Sequence, residues 1–366
     1  MKIMISGGGT GGHIFPALAI GTALEKSSEV ARVVYVGTPY GMEKNLIPKA
    51  GKTLYFLPMR GWLGKGLTAK LAFAWRLPAS MLKSLWLLFK TRPKAVIGVG
   101  GYASAPLLWT AALLGKPTMI QEQNAFPGLV NRISSRFVKL ACIGFAEAAG
   151  RLACPTITTG NPVREGFAAT KPWRVDRRCI LILGGSQGAA ALNRDLPALL
   201  KAHLPSDQNL AVVHQCGRHH LEAVRNAYAG AAFPVQVTPF IDNMSQMMED
   251  VLFAVTRAGA STIAELRLTR IPAVLVPFPK AAHDHQTFNA ESLVKLGAAL
   301  HIPETSLQDS GAVIGELARN PAKLTAMANA YPAQTHNAAG MCAQVALALA
   351  QKKEVTQIVQ AHDPIS

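Results

Sequence analysis

Gly7–His13, GGGTGGH, follows the apolar run Met1–Ile5 and precedes a helical pattern over Phe15–Lys26. A buried strand that breaks into glycines and resumes as a helix describes a strand, a tight turn and a helix N-terminus. Glycine lacks Cβ, so its backbone reaches positive φ and brings N–H groups close to a ligand. The helix dipole adds about half a positive charge at the same end. Such a turn faces an anion. An altered copy stands at Gly184–Ala189, GGSQGA, after the run Cys179–Leu183. Two copies predict two nucleotide-fold halves with a cleft between them.

At 366 residues the chain is too long for one ordinary core and suits two α/β domains. Its composition, 49% hydrophobic with only 7% aromatic, fits strands covered by helices better than a sandwich or barrel. The formal charge of +16 is one-sided: residues 1–165 hold 20 Lys and Arg against 6 Asp and Glu, and residues 166–366 hold 17 against 15. An excess confined to the first half predicts a polyanionic partner, either nucleic acid or an anionic membrane. The cysteines (Cys142, Cys154, Cys179, Cys216 and Cys342) are odd in number, widely spaced and mostly inside apolar runs. They read as reduced core residues of a cytoplasmic protein. Residues 1–20 show no signal-peptide pattern, and the apolar runs fall short of the ~18 residues a spanning helix needs.

In the first half the pattern predicts strands over Arg32–Val36, Thr53–Leu57, Ala95–Val99, Thr118–Gln121, Leu140–Ile143 and Thr156–Thr159. In the second half it predicts them over Cys179–Leu183, Leu210–Gln215, Val235–Thr238, Leu252–Thr256 and Ala273–Val276, with helices between. This is a doubly wound rhythm, which places ligands at the carboxyl ends of the strands. A basic amphipathic helix is expected over Thr68–Thr91, broken at Pro78 because the proline ring clashes with the preceding turn. Arg76, Lys83 and Lys90 form one stripe on it, and Leu71, Leu82 and Leu85 are read as core. Residues 171–178, rich in Pro, Arg and Lys, read as a linker, and the tail after Lys352 as weakly ordered.

Gly7–Gly12 satisfies GxGxxG, but the second strand ends in Val36, Gly37 and Thr38 without the acid that a dinucleotide ribose requires. No Walker sequence and no CxxC or HExxH spacing occurs, so no metal and no cofactor is expected. Arg257–Glu265, RAGASTIAE, is a strand end, a glycine turn and a helix start. Its first N–H groups can face a diphosphate, and Glu265 either accepts from a ribose diol or serves as a helix-dipole partner.

GGTGGH (Gly8–His13), EQN (Glu122–Asn124), GNPVR (Gly160–Arg164), GGSQGA (Gly184–Ala189), RAGASTIAE (Arg257–Glu265) and DHQTFNA (Asp284–Ala290) follow one another in order. This set resembles the MurG family, peptidoglycan glycosyltransferases that add N-acetylglucosamine to lipid-linked muramoyl-pentapeptide. The likeness runs from Lys2 to about Ala348. It implies a GT-B fold, two Rossmann-like doubly wound α/β domains facing a central cleft. Residues 1–165 would bind acceptor and membrane, and residues 166–336 would bind UDP-N-acetylglucosamine. Residues 337–366 would form a C-terminal helix packing back across the junction, and a tail. The implied donor positions are Thr10, Gly11, Gly12, Asn124, Arg164, Ser186, Ile241, Ala260, Ser261, Thr262, Ile263, Ala264, Glu265 and Gln286. Ser186 and Thr10 would meet phosphate oxygens, Ile241 the uracil edge through its backbone, and Glu265 the ribose. Asn124 and Gln286 would hold sugar hydroxyls, and Arg164 would counter the charge of the leaving UDP.

The resemblance implies an inverting transfer to the 4-hydroxyl of the muramoyl sugar, which needs a base near neutral pH. His13 and Glu122 are the two candidates. A histidine at a helix N-terminus has its imidazolium disfavoured, which favours accepting a proton. Two residues depart from the family pattern: Gln121 stands where several relatives have His, and His283 replaces a common acid before DHQ. The implied location is the cytoplasmic face of the bacterial inner membrane, peripherally bound through residues 61–94, with other cell-wall synthesis proteins as partners and no nucleic acid. Two alternatives remain at this level. One is a UDP-N-acetylglucosamine 2-epimerase of the same architecture, against which the cleft motifs are rich in amides and poor in carboxylates. The other is a basic nucleic-acid-binding protein, which lacks interleaved aromatics and any DNA-binding motif.

Overall fold

The computed structural model describes residues 1–61, 67–164, 166–167, 171–185, 188–206, 209–332 and 337–362. Trp62, Lys65 and Ser186 therefore lie outside the described residues, as do the side chains of Lys70 and Leu71. Aliphatic runs alternate with helices in both halves. The first half carries β1 (Lys2–Ser6), α1 (Gly11–Glu25), β2 (Arg32–Gly37), α2 (Glu43–Lys49), β3 (Leu54–Phe56), α3 (Leu67–Thr91), β4 (Ala95–Gly98), α4 (Ser104–Leu113), β5 (Thr118–Glu122), α5 (Leu129–Ser134), β6 (Leu140–Ile143) and β7 (Thr156–Thr158). The second carries β8 (Cys179–Leu183), α6 (Ala190–His203), β9 (Ala211–Gln215), α7 (Leu221–Ala227), β10 (Val235–Thr238), α8 (Met244–Met248), β11 (Val251–Thr256), α9 (Ala260–Thr269), β12 (Ala273–Leu275), α10 (His285–Val294), β13 (Ala299–His301), α11 (Gly311–Ala318) and α12 (Pro321–Asn329). Then come α13 (Ala338–Ala350) and α14 (Val355–His362).

The chain divides into two units, Met1–Arg164 with Asn337–Ser366, and Glu165–His336. In the first unit seven strands run in the order β3-β2-β1-β4-β5-β6-β7, and in the second six run β10-β9-β8-β11-β12-β13. The pairings are parallel, for example Ile5 beside Tyr35 and Ile97, and Ile182 beside His214 and Val255. Strand order reverses between β1 and β4 and between β8 and β11. Those are the switch points where a doubly wound sheet leaves a crevice at its carboxyl edge.

Alternation along each strand builds two core layers per sheet. In the first unit Ile3 and Ile5 join Ile14, Ala17 and Ile20 of α1 with Cys342, Val345 and Leu349 of α13, while Met4 faces Leu87, Leu88, Leu107 and Leu108 on the other side. In the second unit Ile180 and Ile182 pack with Leu192, Leu196, Val255 and Leu317. Each fully buried Ile, Val, Leu or Met side chain among these contributes about 1.5 to 3 kcal/mol on burial.

Four expectations are corrected. First, α3 continues through Pro78 without a break. The carbonyl that Pro78 leaves without a helical partner belongs to Ala74, and both residues are exposed, so water can take the missing hydrogen bond. Second, α1 begins at Gly11, four residues before Phe15, with Thr10 as its extended N-cap. Third, residues 171–178 do not form a loose linker. Arg177 is buried and donates to the carbonyls of Met248, Pro172 and Lys171, and Trp173 Nε1 donates to Leu252 O at 2.9 Å. Fourth, the tail forms α14, whose Val355, Ile358 and Val359 make an i, i+3, i+4 stripe against the first core.

Candidate active site

In the first unit the glycine turns converge at the carboxyl edge of the sheet. Gly101 stands at φ +78°, and a Cβ there would lie 2.3 Å from Gly8 O, so the turn after β4 presses directly on the turn after β1. His13 lies half-buried beside this contact. A Cβ on Gly100 would come within 2.7 Å of His13 Cδ2, 2.9 Å of its Nε2 and 3.7 Å of Asn131 Nδ2. The histidine ring therefore lies against Gly100, which Asn131 also approaches. Thr10 Oγ1 is 3.5 Å from His13 Nδ1, at the outer limit of a hydrogen bond.

Asn131 also reaches Glu122. The Glu122 carboxylate is 1% exposed. Its Oε2 accepts from Asn131 Nδ2 at 2.9 Å and from Gly128 N at 3.0 Å. Its Oε1 accepts from Asn124 N at 2.8 Å and Asn124 Nδ2 at 3.2 Å. Burial pushes the carboxyl pKa upward, against the pull of these donors. Both oxygens are thus engaged inside the turn they close. Asn161 of the GNPVR stretch reinforces the same turn: its Nδ2 donates to Gln123 O at 2.7 Å, and its Oδ1 accepts from Gln121 Nε2 at 3.1 Å. Arg164 places its guanidinium 4.8 Å from the ring centroid of Phe15, two residues beyond His13. The first unit therefore gathers Thr10, Gly11, Gly12, His13, Glu122, Asn124 and Arg164 around one sheet edge.

Sequence reading misses Glu43. This carboxylate is fully buried and accepts from Gly9 N at 2.8 Å, Thr38 N at 2.9 Å and Thr38 Oγ1 at 2.7 Å. The acid missing from the end of β2 comes a few residues later, and it faces the glycine turn rather than a ribose. The Gly9 N–H is therefore already engaged by an anion. Donors at this turn also include the N–H groups of Gly11 and Gly12, which open α1 and have no partner within the helix. A signal is present: a Cβ on Gly37 or Gly41 would lie within 2.6 Å or 2.1 Å of Glu43, so these two glycines make room for that side chain.

In the second unit Gly188 has φ +78°, and a Cβ there would sit 2.1 Å from Cys216 O. That carbonyl is held from the other side by Asn193 Nδ2 at 2.9 Å. Asn193 Oδ1 meets His214 Nε2 at 3.0 Å, and His214 Nδ1 meets Tyr228 Oη at 3.1 Å. Since an amide oxygen only accepts, Nε2 carries the hydrogen and Nδ1 accepts from the phenol. Ile241 has its N–H bound to Gln215 Oε1 at 3.0 Å.

Gly259 caps α9 in extended conformation, so the N–H groups of Ala260, Ser261 and Thr262 open toward the sheet edge. Ser261 Oγ is buried and makes no hydrogen bond among the described residues. Ile263 and Ala264 are buried behind it, and Glu265, sixth in the helix, is 5% exposed. Asn289 Nδ2 donates to Ala258 O at 3.1 Å, tying α10 to this turn. Gln286, on the first turn of α10, accepts from Phe278 N at 3.0 Å. His283 and Asp284 are both left-handed, at φ +54° and +53°, a strained pair at the mouth of the loop. Asp284 Oδ1 accepts from Thr287 Oγ1 at 2.7 Å. Among the described residues no group of three or more His, Cys, Asp or Glu side chains is placed to hold a metal ion.

Two Rossmann-like units with anion-facing turns at the switch point of each sheet are the architecture of a GT-B glycosyltransferase. Residues 3–143 match the glycosyltransferase family 28 N-terminal domain, and residues 179–345 match the glycosyltransferase family 28 C-terminal domain. The chain belongs to glycosyltransferase family 28, and it is a glycosyltransferase. It is 40% identical over 334 residues, 90% of this chain and 93% of the other, to the UDP-N-acetylglucosamine--N-acetylmuramyl-(pentapeptide) pyrophosphoryl-undecaprenol N-acetylglucosamine transferase of Syntrophotalea carbinolica. The transferase of the same name from Myxococcus xanthus is 38% identical, over 89% of this chain and 87% of its own. The crystal structure of Acinetobacter baumannii MurG superposes with a TM-score of 0.78 at 32% identity, covering 94% of this chain and 99% of that one. These likenesses favour transfer over the epimerase and nucleic-acid readings.

Proposed function

We propose that the chain moves N-acetylglucosamine from UDP-N-acetylglucosamine to the 4-hydroxyl of undecaprenyl-diphospho-N-acetylmuramoyl-pentapeptide, with inversion at the anomeric carbon. The observation that carries this reading is the 40% identity, over nine-tenths of the chain, to a relative whose name states that donor and acceptor. In it the first unit binds the acceptor and the second holds the donor. His13 takes the proton of the attacking hydroxyl as its oxygen bonds the anomeric carbon, and UDP departs from the opposite face. Glu122 acts as a positioning residue that shapes the turn bearing Asn124.

The N–H groups of Ala260–Thr262 and the Ser261 hydroxyl meet the donor diphosphate. Glu265 accepts from the ribose diol, and the Ile241 backbone reads the uracil edge. Asn124 and Gln286 hold sugar hydroxyls, while Arg164 balances the charge growing on UDP. Such charge-assisted hydrogen bonds contribute about 1.5 to 3 kcal/mol each.

A lipid-tailed acceptor places the enzyme at the cytoplasmic face of the inner membrane, peripherally bound and in reach of other cell-wall synthesis proteins. One observation supports this: α3 exposes an aromatic stripe. The test is to follow UDP release with and without the lipid-linked muramoyl acceptor. Release that depends on acceptor is the expected result. Loss of C2 deuterium from the donor without acceptor would indicate epimerisation instead and overturn the proposal.

A further inference from the structure

Gln215, the last residue of β9, is 3% exposed and bridges two loops at the edge of the second sheet. Its Nε2 donates to Gly185 O at 3.0 Å, in the glycine turn after β8. Its Oε1 accepts from Ile241 N at 3.0 Å, in the segment after β10. A carbonyl on one side and an N–H on the other admit only one orientation of the amide, so this side chain is fixed at both ends. β9 lies between β8 and β10 in the sheet, which makes Gln215 a strut across three strand ends.

We infer that Gln215 is a positioning residue for nucleotide recognition, setting the glycine turn and the Ile241 backbone at one spacing and one orientation for a uridine diphosphate. This deepens the proposed function and rests on its assignment of Ile241 to the uracil. Uracil and cytosine present opposite hydrogen-bond patterns: N3 donates in uracil and accepts in cytosine, and O4 is replaced by an amino group. A backbone segment held in one orientation matches one pattern only. Released from Gln215, the Ile241 peptide can turn to suit either base, and the glycine turn no longer moves with it. Buried, doubly bonded amides serve this task well, because truncating them leaves both partner groups without a hydrogen bond.

The experiment measures UDP, CDP and uridine binding, with donor KM and kcat, for wild type, Gln215→Leu and Gln215→Glu. Gln215→Leu removes both bonds. It should raise donor KM roughly tenfold or more and reduce the UDP-over-CDP preference by a similar factor, with kcat at saturating donor within about twofold of wild type. Gln215→Glu keeps an acceptor for Ile241 but turns an oxygen toward Gly185 O. It should keep most of the base preference and lose the gain in affinity of UDP over uridine, and it decides the question if Gln215→Leu fails to fold. A wild type that prefers UDP, with variants that keep both preference and KM, overturns the inference alone. A wild type that binds CDP as well as UDP overturns the reading on which it rests.

Discussion

Glu122 and His13 both sit at the carboxyl edge of the first sheet, and the role of base proposed for His13 rests on how fully the Glu122 carboxylate is engaged. Each Glu122 oxygen already accepts two hydrogen bonds from the turn it closes. Turning either outward would break charge-assisted bonds of about 1.5 to 3 kcal/mol each. His13 is half-buried, and its contact with Thr10 is long. His13→Ala should therefore lower turnover by about 10² to 10⁴ with UDP affinity and melting temperature nearly unchanged. Glu122→Gln, which sets an amino group among N–H donors, should lower turnover and melting temperature together. Steady-state kinetics beside thermal melts separates the two, and near wild-type turnover in both variants would leave a water or a substrate group as the base. The sequence shows residue type and position, which is enough to find the glycine turns, because glycine reports on backbone. It does not show which way a carboxylate points. Glu43 escapes a sequence reading for that reason, and Glu122 like it turns inward to hold backbone N–H groups.

The alternation of strands and helices follows from the apolar runs, the order of strands within each sheet does not, and α3 shows where pattern reading stops. Leucine at position 82 reads as core, but the buried seam of α3 is Ser80, Ser84, Leu87, Leu88 and Thr91, and Leu82 is 69% exposed. Ser80, Ser84 and Thr91 share this seam with Leu87 and Leu88 where α3 packs along α4, and Ser84 Oγ turns back to donate to Ser80 O at 2.7 Å. Which face of α3 meets its neighbours decides burial, a choice invisible in one segment. The aromatic groups face outward: Trp75 is 83% exposed, Trp86 53% and Phe89 64%. Lys90 Nζ sits 4.5 Å from the Trp86 ring centroid, mixing charge into the aromatic stripe. An exposed face of aromatics flanked by Lys and Arg suits a headgroup boundary, where each cation adds up to about 1 kcal/mol. Reversing Arg76, Lys83 and Lys90 to Glu should weaken binding to vesicles containing anionic lipid, with added salt weakening the wild type likewise and UDP affinity unchanged in both. Equal partitioning of wild type and variant at low salt would exclude this stripe as the docking face.

For the molecule as a whole, one buried group in each unit couples to acid in the opposite sense. In the second unit His214 is fully buried between Asn193 and Tyr228, and burial lowers its pKa from 6.5 to about 4. The unfolded chain thus takes up the proton first: stability is complete above about pH 6.5 and falls as pH drops toward 4, by about 3 kcal/mol in all. In the first unit burial raises the pKa of Glu122. The sign reverses there, because a raised carboxyl adds stability below its unfolded pKa and loses it as pH rises through the folded value. Acidification from pH 7 to 4 should therefore open the second unit first, around β9 and α6, while the turn at residues 122–128 stays closed. Peptide-resolved hydrogen exchange, corrected for the intrinsic pH dependence of exchange, reads both regions in one sample. His214→Gln, which can still donate to Asn193 and accept from Tyr228 but does not titrate, should be less stable at pH 7 and much less sensitive to acid. An unchanged acid response in that variant, or earlier opening of the first unit, would show that other groups govern the transition. The expected order also has a functional reading: the half assigned to the donor nucleotide should lose UDP binding over the same pH interval in which its β9 peptides begin to exchange.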